Sequence, residues 1–110
     1  MIYQAKKENE ILALKIALIL AKQASKKAEE TEDGGTCNLD LPVILLPEWN
    51  KEDITKAFEG TGLWSDIQGN VIYVCGVIKG CGYKRTAMAE AFRDNMKLSG
   101  YKSYVHYKID

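Results

Sequence analysis

The stretch VIYVCGVI at residues 71–78 is the part of this sequence that most clearly decides its fold. Its β-branched and aromatic residues predict a strand. The glycine-containing stretch KGCGYKR at residues 79–85 leads from it into residues 86–98, where the spacing of the apolar side chains predicts a helix. A strand joined to a helix in this way is typical of folds in which helices pack on a sheet.

The same alternation of strands and helices runs through the whole chain. Residues 4–30 contain no Gly or Pro and are rich in Ala, Leu, Lys, Glu and Gln, which predicts one long helix. Further strands are predicted over residues 41–46, 63–67 and 101–109, and a further helix, capped by Asn50, over residues 51–59. We therefore expect one domain over residues 1–110, of the α/β (or α+β) class, with a single small sheet of three to four strands, three helices and a long N-terminal helix.

Composition and charge limit the classes of protein to which the chain can belong. It has 110 residues, of which 46% are hydrophobic and 27% charged, as in ordinary folded domains. Its 15 basic and 15 acidic residues cancel, so nucleic acid is not an expected partner, because binding by charge alone needs a basic surface. The charge is divided unevenly, with −4 on residues 1–66 and +4 on residues 67–110. This division fits charge pairing within the chain, charge pairing between subunits, an anionic ligand bound to residues 67–110, or solvated surfaces that simply differ in charge.

Hydropathy and cysteine usage bear on location and cofactors. The longest apolar run, residues 11–21, is interrupted only by Lys15 and is shorter than the roughly 20 residues of a membrane span, so no membrane partner is expected. Cys37, Cys75 and Cys81 form no CxxC pair, which favours a reducing compartment and predicts a cytoplasmic protein. A single His and these cysteine spacings match no zinc pattern, so neither a metal nor another cofactor is expected.

The predicted first helix is apolar on more than one side. Its large apolar residues are Ile11, Leu12, Leu14, Ile16, Leu18, Ile19 and Leu20. Such a helix must be covered on several sides. Either a second copy of the chain covers part of it, which makes the protein a homo-oligomer, or the helix is central and is wrapped by its own sheet. Trp49 and Trp64, which flank the second predicted helix, are expected to be core or interface anchors.

The candidate site is the segment between the predicted strand 71–78 and the predicted helix 86–98. A helix N-terminus presents unpaired N–H groups and a partial positive charge, and glycines let a ligand approach the backbone closely. Lys and Arg add charge, and Arg can bind a phosphate with two hydrogen bonds. Thr86 is expected to cap the helix or to donate its hydroxyl. The expected ligand is an anionic small molecule or nucleotide, and the expected ligand-binding residues are Gly80, Gly82, Lys84, Arg85 and Thr86, with Asn38, Asp40 and Tyr107 nearby.

Other residue patterns leave alternatives open. Cys37 and His106 have the residue types of a nucleophile and a base, although nothing in the sequence brings them together, and Cys81 is the other cysteine that an enzyme would use. On the last predicted strand, Tyr104, His106 and Lys108 resemble a stacking platform for bases. An ordinary half-exposed strand rich in Tyr has the same pattern.

Three segments resemble a known group of sequences: DGGTCNLD at residues 33–40, GCGYKRTAMAE at 80–90 and YKID at 107–110. They are similar to segments of short, functionally uncharacterised proteins of phages, prophages and gut bacteria. In those proteins the middle segment reads roughly G-Q-G-x-R-R-T-x-M-A-E and the last reads roughly Y-Y-Q-M-D. Here Cys81 stands in place of the Gln and Lys84 in place of the first Arg. The resemblance implies a phage-borne origin and one site shared by the three segments, and it implies no activity.

Taken together, these patterns favour a small phage-type accessory protein that binds a phosphate-bearing ligand over an enzyme. One alternative is a protein-interaction module that inhibits a host protein. Another is a cysteine-dependent enzyme. If the chain is phage-encoded, we expect it to act in the host cytoplasm.

Overall fold

The fold is built on one four-stranded sheet with helices packed on one of its faces. The structure, a computed structural model, describes residues 5–30, 40–76 and 82–107. The strands are β1 (Leu41–Leu45), β2 (Trp64–Gln68), β3 (Val71–Cys75) and β4 (Lys102–His106). The helices are α1 (Glu8–Lys27), which continues as a 3-10 turn over Ala28–Glu30, α2 (Lys51–Phe58) and α3 (Gly82–Leu98). The predicted single sheet, three helices and long N-terminal helix are confirmed.

The strands lie in the order β2-β3-β1-β4, and every neighbouring pair is antiparallel. Because α2 connects β1 to β2 and α3 connects β3 to β4, each helix joins two strands that are separated by a third. This is the connectivity of the split β-α-β, or ferredoxin-like, arrangement. The fold is therefore α+β. The additional helix α1 precedes this arrangement and packs against both α2 and α3.

The register of the strands separates a helix-facing side of the sheet from a second side, which we call the open side because no helix of the described residues packs on it. Ile44 of β1 pairs with Ile72 of β3, and both are fully buried in the core cluster beneath the helices. Val43, one residue earlier, pairs with Tyr73 on one side and with Tyr104 on the other. Since successive side chains of a strand point to opposite faces, these three residues lie on the side away from the helices, where Val43 is itself fully buried. That side of the sheet carries aromatic rings.

One side of α1 is covered by its own domain. Leu14 and Leu18 are fully buried in the core cluster. Near the end of the helix, the buried Ser25 hydroxyl donates a 2.9 Å hydrogen bond to the Met88 carbonyl of α3. On the opposite side of α1, the exposed aliphatic residues are Leu12, Ile16 and Leu20. None of the helices in the described part of the chain is both long and apolar enough to cross a membrane.

The second helix begins where the sequence predicts it. Asn50 is the N-cap of α2, and its Oδ1 accepts a 2.8 Å hydrogen bond from the Asp53 N–H. Trp49, just before this cap, packs partly buried against the core cluster. Trp64, in contrast, is 64% exposed at the start of the edge strand β2, so it is not a core residue of this chain.

The third helix begins earlier than the sequence predicts. We expected it over residues 86–98, with Thr86 as a possible cap, whereas α3 starts at Gly82. Lys84 and Arg85 are therefore helical and do not belong to a loop, and Thr86 lies inside the helix, where it does not cap it. The predicted strand 71–78 ends as β3 at Cys75, and residues 77–81 lie outside the described part.

Candidate functional site

Asp40, which immediately precedes β1, is held by the beginning of α3. The Thr86 hydroxyl donates a 2.6 Å hydrogen bond to its Oδ2, and the Arg85 Nε–H donates one of 2.9 Å to its backbone carbonyl oxygen. Asp40 itself is only 1% exposed. Two segments that are 45 residues apart in the sequence therefore meet at one end of the sheet.

The start of α3 is electrostatically suited to this carboxylate. The first N–H groups of a helix have no partner within it, and the helix dipole places a partial positive charge there. Gly82 is the first residue of α3, and the side chains of Lys84 and Arg85 follow within the first turn, each half-buried. The turn thus combines backbone donors and two cationic side chains with the hydroxyl of Thr86, which is hydrogen-bonded to the buried carboxylate of Asp40.

Arg85 also connects this turn to the open side of the sheet. Burial and the negative charge of Asp66 raise the pKa of the Cys75 thiol above its ordinary value, and the positive charge of Arg85 opposes this rise. Cys75 is the last residue of β3 and pairs in register with Trp64 of β2. The guanidinium therefore acts on a thiol at the same end of the sheet as Asp40.

Tyr107 contacts a later part of α3 than Asp40 does. Its hydroxyl donates a 2.8 Å hydrogen bond to Glu90 Oε2 and accepts one of 3.4 Å from Arg93 Nη1. Partial burial and the Glu90 carboxylate raise the pKa of the Tyr107 phenol. His106 pairs with Leu41, Tyr107 follows His106 and Asp40 precedes Leu41, so Tyr107 and Asp40 lie at the same end of the sheet. Tyr107 lies beside the predicted site, with its hydroxyl directed to α3.

Several predicted site residues lie outside the described part of the chain. These are Asn38 and Gly80 of the predicted ligand site, Cys37 and Cys81 of the alternative catalytic site, and Lys108 of the alternative stacking platform. The structure therefore brings together Asp40, Arg85 and Thr86, with Gly82 and Lys84 in the same turn.

The sequence reasoning named Tyr104 and His106 of the open side but missed a third aromatic residue there, Tyr73. Tyr73 of β3 and His106 of β4 pack edge to face, with ring centroids 5.6 Å apart, across the intervening strand β1. Tyr104 pairs through Val43 with Tyr73, so all three rings occupy one face. Trp64 joins this face at the end of β2. Alternation within β3 separates Tyr73 from the buried Ile72 and Val74, but only strand pairing brings it next to the rings of β4.

Metal binding finds no support in the described residues, which contain no group of three or more His, Cys, Asp or Glu side chains arranged to hold an ion. The described cysteine, Cys75, has a raised pKa and hence a smaller thiolate fraction at neutral pH than a free thiol. Neither observation assigns a catalytic centre to the described part.

Comparisons of the chain with models of protein families, with curated proteins and with solved structures find no significant match. The resemblance to phage proteins therefore remains an expectation from the sequence. No activity, ligand or partner is carried to the chain from a relative, so its function is inferred from the contacts around Asp40 and α3.

Proposed function

We propose that the chain is a small binding protein that takes a phosphate-bearing ligand at the first turn of α3. The observation that carries this proposal is the meeting of Asp40 with Arg85 and Thr86, in which the turn donates two hydrogen bonds to oxygen atoms of one residue. A helix start of this kind stabilises negative charge through its N–H groups and dipole. Lys84 and the Arg85 guanidinium provide two formal positive charges beside it.

The open side of the sheet supports a nucleotide as the class of ligand. The edge-to-face pair of Tyr73 and His106 and the exposed ring of Tyr104 offer surfaces on which a base can stack. The charge of Arg85 acts on Cys75, which lies on the same side of the sheet as these rings. We propose that one ligand places its phosphate at the start of α3 and its base against these rings, around the end of the sheet where Asp40 and Cys75 lie.

The buried carboxylate of Asp40 also limits the affinity of the site. It already accepts the Thr86 hydroxyl, and its negative charge repels a second anion nearby. We therefore expect an exogenous phosphate to bind beside Asp40 without displacing it. Asp40→Asn removes the charge, and we expect it to strengthen phosphate binding while it weakens the contact with α3.

Isothermal titration calorimetry with pyrophosphate, ATP, GTP and adenosine tests this proposal. We expect the phosphate-bearing ligands to bind and Arg85→Ala to weaken them by about tenfold or more, because charge-assisted hydrogen bonds are lost. Lys97→Ala is the matched control, since it removes an exposed positive charge from the last turn of the same helix. His106→Ala is expected to weaken the nucleotides but not pyrophosphate.

Two results would overturn the proposal. One is the absence of binding by every phosphate-bearing ligand to the wild-type chain. The other is an equal loss of affinity in Arg85→Ala and Lys97→Ala, which would reflect only the total charge of the protein. Circular dichroism of each variant keeps a loss of binding distinct from a loss of folding.

A second proposed function is protein interaction, and the exposure of Leu12, Ile16 and Leu20 on α1 favours it. We propose that the chain self-associates through this surface, as the apolar composition of α1 led us to expect.

The inhibition of a host protein in the host cytoplasm belongs to the same proposal. A pull-down from host lysate with wild-type and Ile16→Glu chains tests it, and capture of the same proteins by both would contradict a role for α1.

A further inference from the structure

α1 carries a narrow aliphatic surface on the side that faces away from the domain. The outer stripe, as we call it, consists of Leu12, Ile16 and Leu20, which are 54%, 49% and 46% exposed. The three residues are spaced by four, so they form one line along the helix. On the opposite side of the same helix, Leu14 and Leu18 are fully buried in the core. α1 therefore has two apolar sides, of which the domain covers one.

The outer stripe is symmetric about Ile16. Leu12 and Leu20 lie four residues to either side of it, and the polar Asn9 and Gln23 lie seven residues to either side. Both polar residues are exposed, and helical periodicity places them on the same side of α1 as the stripe. A second copy of α1, rotated by 180° about an axis that passes through Ile16 perpendicular to the helix, therefore presents the same pattern of residues to the first copy.

The charges at the two ends of α1 favour an antiparallel arrangement of two copies of the helix. Its first turn is acidic, with Glu8 and Glu10, and its last turn is basic, with Lys26 and Lys27. Glu8 and Lys26 are exposed and lie about five full turns apart, so they flank the stripe on the same side. In an antiparallel pair, residues on the same flank face each other, and Glu8 comes close to Lys26 of the partner subunit. A parallel pair brings like charges together at both ends.

We propose that two copies of the chain associate through the outer stripe of α1, antiparallel and with the two-fold axis at Ile16. Leu12 packs against Leu20 of the partner subunit, and Glu8 pairs with Lys26 of the partner subunit. The proposal rests on the self-association through α1 proposed above and assigns its direction and register. One helix per subunit gives a small interface, so the association is weak and depends on protein concentration.

Sedimentation equilibrium tests the association itself. We expect the wild-type chain to show a monomer–dimer equilibrium and Ile16→Glu to be a monomer at every concentration examined. Leu98→Glu is the matched control, because it changes the 85% exposed leucine of α3 and should leave the equilibrium unchanged. A wild-type chain that sediments as a monomer throughout, or an Ile16→Glu chain that dimerises like wild type, would overturn the association through α1.

Charge reversal tests the direction separately. In an antiparallel dimer, Glu8→Lys or Lys26→Glu places like charges opposite each other, and we expect each to raise the dimer Kd by about fivefold at low salt, because two symmetry-related ion pairs are lost. The double variant Glu8→Lys/Lys26→Glu restores both pairs and should return the Kd to the wild-type value. The double variant also places a basic residue in the first turn of α1 and an acidic residue in its last turn, which is unfavourable with respect to the helix dipole. A restored Kd therefore does not come from a more stable helix. If Ile16→Glu is monomeric but the single reversals leave the Kd unchanged, the association stands and the antiparallel direction is wrong.

Discussion

The Thr86 hydroxyl donates a 2.6 Å hydrogen bond to the carboxylate of Asp40 and thereby fastens the first strand of the sheet to the beginning of α3. Arg85 adds a second hydrogen bond to the Asp40 carbonyl oxygen. This contact is both the structural basis of the candidate ligand site and a connection between elements that are far apart in the sequence. Its removal should therefore affect stability as well as binding.

Replacing Thr86 by Val removes the hydroxyl but keeps a β-branched side chain in α3. We expect the free energy of unfolding to fall by about 1–3 kcal/mol, because a hydrogen bond to a buried carboxylate is lost. Urea denaturation followed by circular dichroism measures it. Thr55→Val is the matched control, since the Thr55 hydroxyl is on an exposed part of α2 and bonds only the Lys51 carbonyl in its own helix. Equal losses in the two variants would contradict a special role for the Asp40 contact.

Ser25 forms another polar link between distant elements, from α1 to the Met88 carbonyl of α3. Ser25→Ala should lower the free energy of unfolding by about 0.5–1 kcal/mol, since the lost hydrogen bond is partly offset by the better helix propensity of Ala. Thermal denaturation measures the change. Ser99→Ala, at an exposed position after α3, should be within about 0.5 kcal/mol of wild type.

Gly76 has a backbone conformation that other residues rarely adopt, with φ of 104°. A Cβ at this position would lie 3.0 Å from the Gly62 carbonyl oxygen and 3.0 Å from the ring of Trp64. Gly76→Ala should therefore cost about 3 kcal/mol or more in stability, from backbone strain and overlap together. Gly69 has a φ of 64° and open space where a Cβ would lie, so we expect Gly69→Ala to lower the stability by only about 1 kcal/mol. Similar costs for both variants, measured by urea denaturation, would contradict the close approach at Gly76.

Asn50 is expected to stabilise α2 through its side-chain cap. Asn50→Ala removes the acceptor of the Asp53 N–H, and the free energy of unfolding should fall by about 1 kcal/mol. Asn50→Asp keeps an oxygen acceptor at the cap and should be nearly neutral. Chemical denaturation of the two variants side by side distinguishes the loss of the cap from a general effect of changing this position.

Cys75 provides a prediction on pH dependence. Its pKa is raised by burial and by Asp66 and is lowered by Arg85, so the protonated thiol is favoured in the folded state and alkylation should reach half its maximal rate at a higher pH than for a free thiol. Asp66→Asn should move this midpoint to lower pH, and Arg85→Ala should move it to higher pH. Iodoacetamide labelling with peptide mapping isolates Cys75 from Cys37 and Cys81. The sign also applies to stability: this thiol stabilises the fold most below its unfolded pKa, and the contribution is lost as pH rises through the folded pKa.

Local patterns were sufficient for much of the architecture. The cap at Asn50, the second helix and the alternating last strand follow from propensities and from the polarity of neighbouring residues, and the structure agrees with them. The alternation in β4 leaves Val105 buried and Tyr104 and His106 exposed. These features depend on interactions between residues only a few positions apart, so they can be predicted from the sequence alone.

The start of α3 and the grouping of rings on the open side could not be predicted from local sequence patterns. Gly82 and Tyr83 are poor helix formers, so propensity alone placed the helix start near Thr86. Contacts of Arg85 and Thr86 with Asp40, more than forty residues away, hold the first turn in its helical position. The pairing of Tyr73 with the rings of β4 likewise arises only when the strands assemble, because β3 and β4 are both neighbours of β1.

The sequence by itself determined the class of elements, their order, a long helix with more apolar surface than one contact uses, and a basic segment near the start of α3. The tertiary structure decided which side of α1 is covered, which rings share a face, and which carboxylate lies at the start of α3. The physical reason is that propensity and periodicity act over a few residues, whereas burial and hydrogen bonding between strands and helices depend on which distant segments meet. Asp40 illustrates this difference, since its sequence position predicts a loop residue and its contacts make it a buried partner of α3.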